Sequence, residues 1–598
     1  IIGSSMGSDF QRTILWVVLA AACFMLYDNW QVYNGKPSMF GSEPVAEQTA
    51  DGKSVASPDA IANQTVADAV ASGVIQTSRP IEVTNDLFKL RFDENGAVIT
   101  RAELLKERQE ADWTEVGLIG KVLGNKAPEL KNIVLFDVSP SRAYVAQTGL
   151  IGGNFPNHKT LFKYSGTQEG SKVIGEGKNK KTVATKTVVF TARTGDVAVE
   201  KSFELIEGHY GINVSHKIIN NGDTQITPSV YYQLTRDDGK PDGESSMYYT
   251  YTGPAVYTNE TKFKKIAFDD IEDKPDTVAR ENDGWIAMIQ HYFVSAWADA
   301  PGAKKTEHEF YTRKLDKNLY AVGSIVRIGS IAPKSWTTTD AVLYVGPQDQ
   351  TRLAQIATGL DLVVDYGWLT MLAKPIYSVL KALYDAVGNW GWAIVLLTCL
   401  VKLILYPISA AGYKSMARMK EVTPRMKALQ QQYGKDKQRL QQAMMELYKK
   451  EKINPVGGCL PIVLQIPVFL ALYWVLLASV ELRGSEWILW VNDLAMPDSW
   501  LVLPAIMMVT MILQMLLNPA PMDPMQKKIM YIMPIVFGVM FFFFASGLVL
   551  YWLTNNVLSI AQQWYVNRQI ATERARRLAA ANEKEIIPER AKESKAKK

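Results

Sequence analysis

The sequence predicts a polytopic α-helical membrane protein, with six transmembrane helices, that carries a large β-sandwich outside the membrane. Three observations point there. Apolar runs of spanning length crowd the chain after Trp390, residues 80–347 alternate with a period of two, and Lys and Arg collect in segments that a membrane would leave on one side. The chain has 598 residues, a net charge of +5 and a mean hydropathy of -0.05. That near-neutral average mixes a polar region with a very apolar one, and the length exceeds one domain. So small a net charge does not point to nucleic acid in bulk, although the basic residues cluster locally, and no specific nucleic-acid sequence is expected as a partner. The three cysteines, Cys23, Cys399 and Cys459, lie in or beside apolar runs, so the polar region has neither a disulfide framework nor a cysteine zinc site.

Residues 1–7 read as a cloning remnant, and their Gly3-Ser4-Ser5-Met6-Gly7 lacks the strand-turn-helix setting of a hydrolase nucleophile. Residues 8–30 are expected to form the first span. Thr13 to Tyr27 is apolar between Arg12 and Asp28 and reads as an uncleaved signal anchor, with a cleaved signal peptide as the alternative. Residues 31–79, rich in Pro, Ser, Ala, Thr and Gln, have the composition of a flexible linker.

The β-sandwich is expected over 80–347. Phe88, Leu90 and Phe92 alternate before Glu94-Asn95-Gly96, and Ile212, Val214, His216 and Ile218 before Asn220-Asn221-Gly222. Val197, Val199, Phe203 and Leu205 keep the same period, interrupted by Lys201. His158, His209, His216, His291 and His308 all fall here, none at metal-ligand spacing, and are expected to be structural. Gly175-Glu176-Gly177 lacks the third glycine of a dinucleotide loop, and there is no Walker, HExxH or CxxC pattern.

Residues 348–388 change period: Leu369, Leu372, Ile376, Val379, Leu383 and Val387 recur every three or four residues. This amphipathic helix, with Trp368 and Tyr377 and directly before a membrane span, is expected in the outer membrane interface; packing under the β-domain is the alternative. The second span, 389–411, carries one charge, Lys402. A lysine near mid-helix costs roughly 2.5–3.5 kcal/mol on the insertion scale. It either snorkels to the interface near Tyr406 and Pro407 or faces a wet cavity that receives an anion, with Thr398 one turn earlier on the same face.

Residues 412–454 read as a cytoplasmic hairpin of two short helices, with Met416, Met419, Met426 and Leu429 before Gly434 and Leu440, Met444 and Leu447 after it. Its many basic residues, Arg418, Lys420, Arg425 and Lys427 among them, face only Glu421, Asp436, Glu446 and Glu451. Further spans are expected at 455–480, 500–517, 529–545 and 546–567. They are joined by an acidic, Trp-bearing outer loop at 481–499, a cytoplasmic loop at 518–528 and a tight turn at Ser546-Gly547. As one helix, 529–566 would be about 57 Å long, too long for one crossing. Both termini then lie inside with the basic tail, 568–598. Gln465, Gln514, Thr554, Asn555 and Asn556 place polar groups in these spans, either as helix-helix hydrogen bonds or as the wall of a wet cavity with Lys402.

Asn454-Pro455-Val456-Gly457-Gly458-Cys459-Leu460-Pro461, Gln465-Ile466-Pro467-Val468-Phe469-Leu470-Ala471-Leu472-Tyr473, Asp523-Pro524-Met525-Gln526 and Ser546-Gly547-Leu548-Val549-Leu550-Tyr551-Trp552 closely resemble the YidC membrane-protein insertases of Gram-negative bacteria. The resemblance covers almost the whole chain. It implies an inner-membrane insertase and chaperone with a five-helix core and a periplasmic β-domain. Such a protein serves nascent inner-membrane proteins alone or beside the Sec translocon, without nucleotide, metal or other cofactor, and is not an enzyme. The family's lone intramembrane cation, usually arginine, corresponds to Lys402, in a hydrophilic groove expected to include Thr398, Gln465, Gln514 and Trp552. The hairpin, through Arg418, Lys420, Arg425, Lys427 and Asp436, is expected to recruit partners. Hairpin and tail are also expected to meet the ribosome and anionic membrane lipids. A secondary transporter would instead show repeated halves with interrupted helices, and a membrane-anchored cell-envelope enzyme a catalytic constellation; neither pattern is found.

Overall fold

The computed structural model describes residues 80–108, 131–139, 142–175, 180–241, 250–273, 277–303, 306–316, 318–433, 436–451, 460–517 and 524–596. The remnant, signal anchor and linker expected before Pro80 lie outside the described residues, as do Gly434, Lys435, residues 452–459 and most of the loop at 518–528. The described chain divides into a β-unit ending at Asp365 and a helical unit beginning at Tyr366.

The β-unit holds two nine-stranded, wholly antiparallel sheets among the described residues. In spatial order the first runs Ile81–Thr84, Phe88–Asp93, Val98–Arg108, Asn132–Ser139, Arg142–Ile151, Ser229–Asp237, Leu319–Arg327, His308–Asp316 and Thr277–Glu281. The second runs Lys262–Lys265, Gly253–Thr258, Trp285–Gln290, Phe293–Asp299, Ser335–Pro347, Gly211–Asn220, Val197–Ile206, Lys181–Thr194 and Lys163–Ile174. Period-two patterning puts one side of each strand inward. Phe92 of the first sheet packs 5.7 Å from Phe190 and 5.1 Å from Phe203 of the second, and Trp297 Nε1 donates to the Gln233 carbonyl at 3.2 Å. The sheets thus form a sandwich. Helix α1 (Phe268–Asp273) and helix α2 (Gln350–Ile356) complete the unit; Asp349 caps α2 by accepting from Thr351 and Arg352 N–H.

Lys201 corrects the strand reading. It does not interrupt the inward face of Val197–Ile206 but belongs to it, at 0% exposure. Its ammonium crosses the sandwich to donate to the carbonyls of Gly96 (2.8 Å) and Thr148 (3.0 Å). Gly96 makes that carbonyl available by turning at φ +78°, where a Cβ would also run into the His158 backbone. The cross-strand neighbour of Lys201 is His216, also buried, whose Nε2 lies 3.1 Å from Thr148 Oγ1. Burial pushes the lysine down to about 7 and His158 down to about 3, with the basic neighbours of His158 acting in the same direction.

The helical unit comprises α3 (Thr370–Val387), α4 (Trp390–Ile404), α5 (Tyr406–Tyr433), α6 (Lys437–Lys450), α7 (Leu460–Ala478), α8 (Val502–Leu517), α9 (Pro524–Met540) and α10 (Ser546–Ala596). Gly388, at φ +69°, ends α3, and Asn389 caps α4 by accepting from Trp392 N–H at 3.0 Å. The buried face of α3 is Ala373, Tyr377 and Leu380, offset from the apolar residues counted in the sequence; Tyr377 donates to Glu481 Oε1 at 2.6 Å. Met371 and Val379, off that line, stay exposed, so α3 packs by one stripe and leaves another free.

The segment expected as one span over 389–411 bends by 68° between Ile404 and Tyr406. Pro407 has no N–H to continue the ladder and suits the first turn of a new helix, so α5 departs there. Among the described residues no single helix is both long and apolar enough to cross a membrane; α4 and α5 have that length and composition only together. α5 and α6 pack together around Val422, Met426 and Met444, with Met419, Leu429, Leu440 and Leu447 at the edge. α10 runs unbroken for 51 residues, through the segment expected to be the last span and most of the basic tail.

Side-chain pairs set the directions of these helices. Ile394 and Lys402 of α4 approach Gly547 and Ser559 of α10, and Thr510 and Leu517 of α8 meet Asn556 and Gln563, so α4, α8 and α10 run in one direction. Gln465 meets Tyr551 while Tyr473 meets Phe544, so α7 runs the opposite way. The loop after α7 covers the shared end: Ser546 and Gly547 N–H donate to the Met496 (2.7 Å) and Leu494 (2.8 Å) carbonyls, and Trp487 packs over Gly391.

Candidate functional site

The α4 helix has two unlike faces. Trp392, Leu396, Leu400 and Leu403 form an exposed apolar stripe, whereas Ile394, Thr398 and Lys402, at i, i+4 and i+8, are buried. Lys402 is 7% exposed. Its ammonium donates to Ser559 Oγ at 2.7 Å, and among the described residues no carboxylate pairs with it. Thr398 is also buried but donates to the Ile394 carbonyl at 2.7 Å, so its hydroxyl hydrogen is used within its own helix.

The opposite wall is α10, where Trp552, Asn555, Asn556, Ser559, Gln562 and Gln563 follow at spacings of three and four and share one face. Trp552 packs edge-on to Phe469 at 4.7 Å and against Phe541 at 5.3 Å. Ser559 donates to the Asn555 carbonyl at 2.7 Å and also contacts the Tyr413 hydroxyl from α5. Asn556 Nδ2 lies 3.4 Å from Thr510 Oγ1. Trp552 Nε1, Asn555 Oδ1 and Gln562 Oε1 are buried with no hydrogen-bond partner in the described structure. Leaving such groups unmet costs about 1–3 kcal/mol each. Gln465 Nε2 donates to Tyr551 OH at 2.6 Å, and Gln514 is half-buried on α8. Ser559, Tyr413, Gln562 and Gln563 were not singled out from sequence; the three- and four-residue spacing from Asn555 and Asn556 is the signal that finds three of them.

The basic residues expected to recruit partners lie elsewhere, on α5 and α6. Lys420, Arg425 and Lys427 are exposed and Arg418 is half-buried. Arg425 pairs with Glu451 at 2.5 Å, and Asp436 caps α6 by accepting from Arg439 N–H at 3.1 Å. Among the described residues no group of three His, Cys, Asp or Glu side chains is placed to hold a metal ion.

Two family descriptions match the chain: the YidC periplasmic domain over residues 80–379 and the 60Kd inner membrane protein over residues 382–573. The membrane protein insertase YidC of Bordetella parapertussis is 46% identical, covering 96% of this chain and all of that one. That of Cupriavidus necator is 44% identical, covering 95% and 99%. A crystal structure of an active YidC insertase is 17% identical, with a TM-score of 0.38, over 82% of this chain and 94% of that one. These matches define a membrane protein insertase and chaperone of the bacterial inner membrane, with a large periplasmic β-domain and with nascent membrane proteins as its substrates. The chain belongs to the YidC family. Neither alternative, a secondary transporter or a cell-envelope enzyme, finds support among these relatives.

Proposed function

We propose that the insertase works through a polar groove between α4, α7, α8 and α10, with Lys402 as its cation and Thr398, Gln465, Gln514 and Trp552 in its wall. The observation that carries this reading is the buried Lys402, with no carboxylate partner among the described residues, facing a stripe of polar groups on α10, three of them lacking an internal partner among those residues. The groove receives the short polar flank of an incoming chain part-way across the membrane. This divides one expensive crossing into two smaller steps. The client's apolar segment then slides past the exposed stripe of α4 into lipid, and burial there drives the reaction. The groove reading takes six spans with both termini cytoplasmic and the loop after α7 outside; the alternating helix directions support it.

Photo-crosslinkers at Gln514 and Gln465 in the full-length protein, in liposomes with a newly synthesised client, should capture the client's polar flank. Crosslinkers at Leu403 (71% exposed) and Leu513 should capture its apolar segment. Capture of the polar flank only at the two leucines would overturn the groove.

The basic hairpin and tail extend this reading to the ribosome and to anionic headgroups, with the Sec translocon as a further partner. Ribosome binding by phosphate neutralisation must weaken steeply with salt. Pelleting of the detergent-solubilised protein with ribosomes should therefore fall on truncation after Asn567 and vanish at high salt. Pelleting unchanged by both treatments removes the tail from the contact.

A further inference from the structure

We infer that Ser559 is the residue that positions the Lys402 ammonium. The inference rests on the groove reading and deepens it. Three helices meet at one hydroxyl: Lys402 arrives from α4, Tyr413 from α5 beyond the 68° bend, and Ser559 stands on α10 at 2% exposure. The single proton of Ser559 goes to the Asn555 carbonyl at 2.7 Å, which leaves two lone pairs to accept. Lys402 Nζ donates to one at 2.7 Å, and the Tyr413 hydroxyl lies beside the same oxygen.

The chemistry of this partner matters. A carboxylate at 559 would form an ion pair and cancel the field that draws an acidic client flank. A hydroxyl fixes the direction of the ammonium while leaving its charge whole and two of its three protons free for a carboxylate. Because Tyr413 belongs to the helix that continues into the basic segment, the same hydroxyl also ties the orientation of the cation to the start of α5.

Two readouts on the full-length protein in liposomes test this. The first is labelling of Lys402 by a water-soluble amine reagent without client, normalised to exposed Lys420. Ser559→Ala should raise it severalfold and Ser559→Thr leave it near wild type. The second is the ratio of insertion rates for two clients that differ only by Asp or Asn in the translocated tail. Loss of one hydrogen bond to a charged group changes an equilibrium by about tenfold or more, so Ser559→Ala should lower the acidic preference about tenfold and Tyr413→Phe by less. Ser559→Asp should abolish the preference, and Ser559→Ala should add nothing in a Lys402→Ala background. Unchanged labelling in Ser559→Ala, or equal loss for both clients, would overturn the positioning role. Changed labelling together with a client ratio that ignores Lys402→Ala would uphold positioning and overturn the groove reading instead.

Discussion

Lys402→Ala should slow insertion of a client with an acidic translocated tail by about 10- to 100-fold while changing a matched neutral client only a few-fold. The magnitude follows from the interaction removed: a hydrogen bond to a charged group contributes about 1.5–3 kcal/mol, and 1.4 kcal/mol is a factor of ten. Among the described residues no carboxylate pairs with the buried ammonium, so its attraction is not spent on an internal anion. Lys402→Arg should be tolerated, since guanidinium keeps the charge and can fork to a carboxylate. The measurement is protease protection of the two clients in liposomes containing each variant. Equal loss for both would make the lysine a packing element of the α4–α10 contact.

What the sequence makes legible here is set by the range of the interactions involved. The sandwich follows from local alternation, and strands such as Val197–Ile206 keep it even through a lysine. The standing of Lys402 is equally local, because one charge in an apolar run has a cost that can be read without a fold. The partner is not local: Ser559 lies 157 residues away and is an unremarked small polar residue until α4 and α10 are laid side by side. The bend after Ile404 had a visible cause in Pro407, but the apolar residues beyond it argued for a longer span, and backbone geometry prevailed over hydropathy. For α3, periodicity marks an amphipathic helix but not which stripe is covered. Tyr377 and Ala373 win over Val379 because a small residue lets a neighbour approach and Tyr377 finds Glu481.

Lys201, inside an apolar strand face, is fully buried. Its carbonyl partners lie 105 and 53 residues away, so nothing local shows that an inward lysine is accommodated. In the unfolded chain this amine titrates near its ordinary 10.5, whereas burial brings it to about 7 in the folded domain. Between those values the unfolded state holds more protons, so stability rises with pH across that window and the penalty is fully present below it. A shift of this size corresponds to about 5 kcal/mol. The pH dependence of urea unfolding for the unit spanning 80–365, followed by the fluorescence of buried Trp285 and Trp297, should show this rise from about pH 7 to 10. Lys201→Met should flatten it. At neutral pH the same variant should shift stability far less, because the relieved desolvation of the ammonium is offset by two carbonyls that lose their donor, at about 1–3 kcal/mol each. His158, pushed down to about 3 by burial, extends the trend to acid: its neutral folded form contributes a further loss of stability as pH falls from about 6.5 towards 3. A wild-type profile that is flat above pH 7, or a Lys201→Met profile as steep as wild type, would show that the ammonium stays hydrated within the sandwich and that another group sets the pH response.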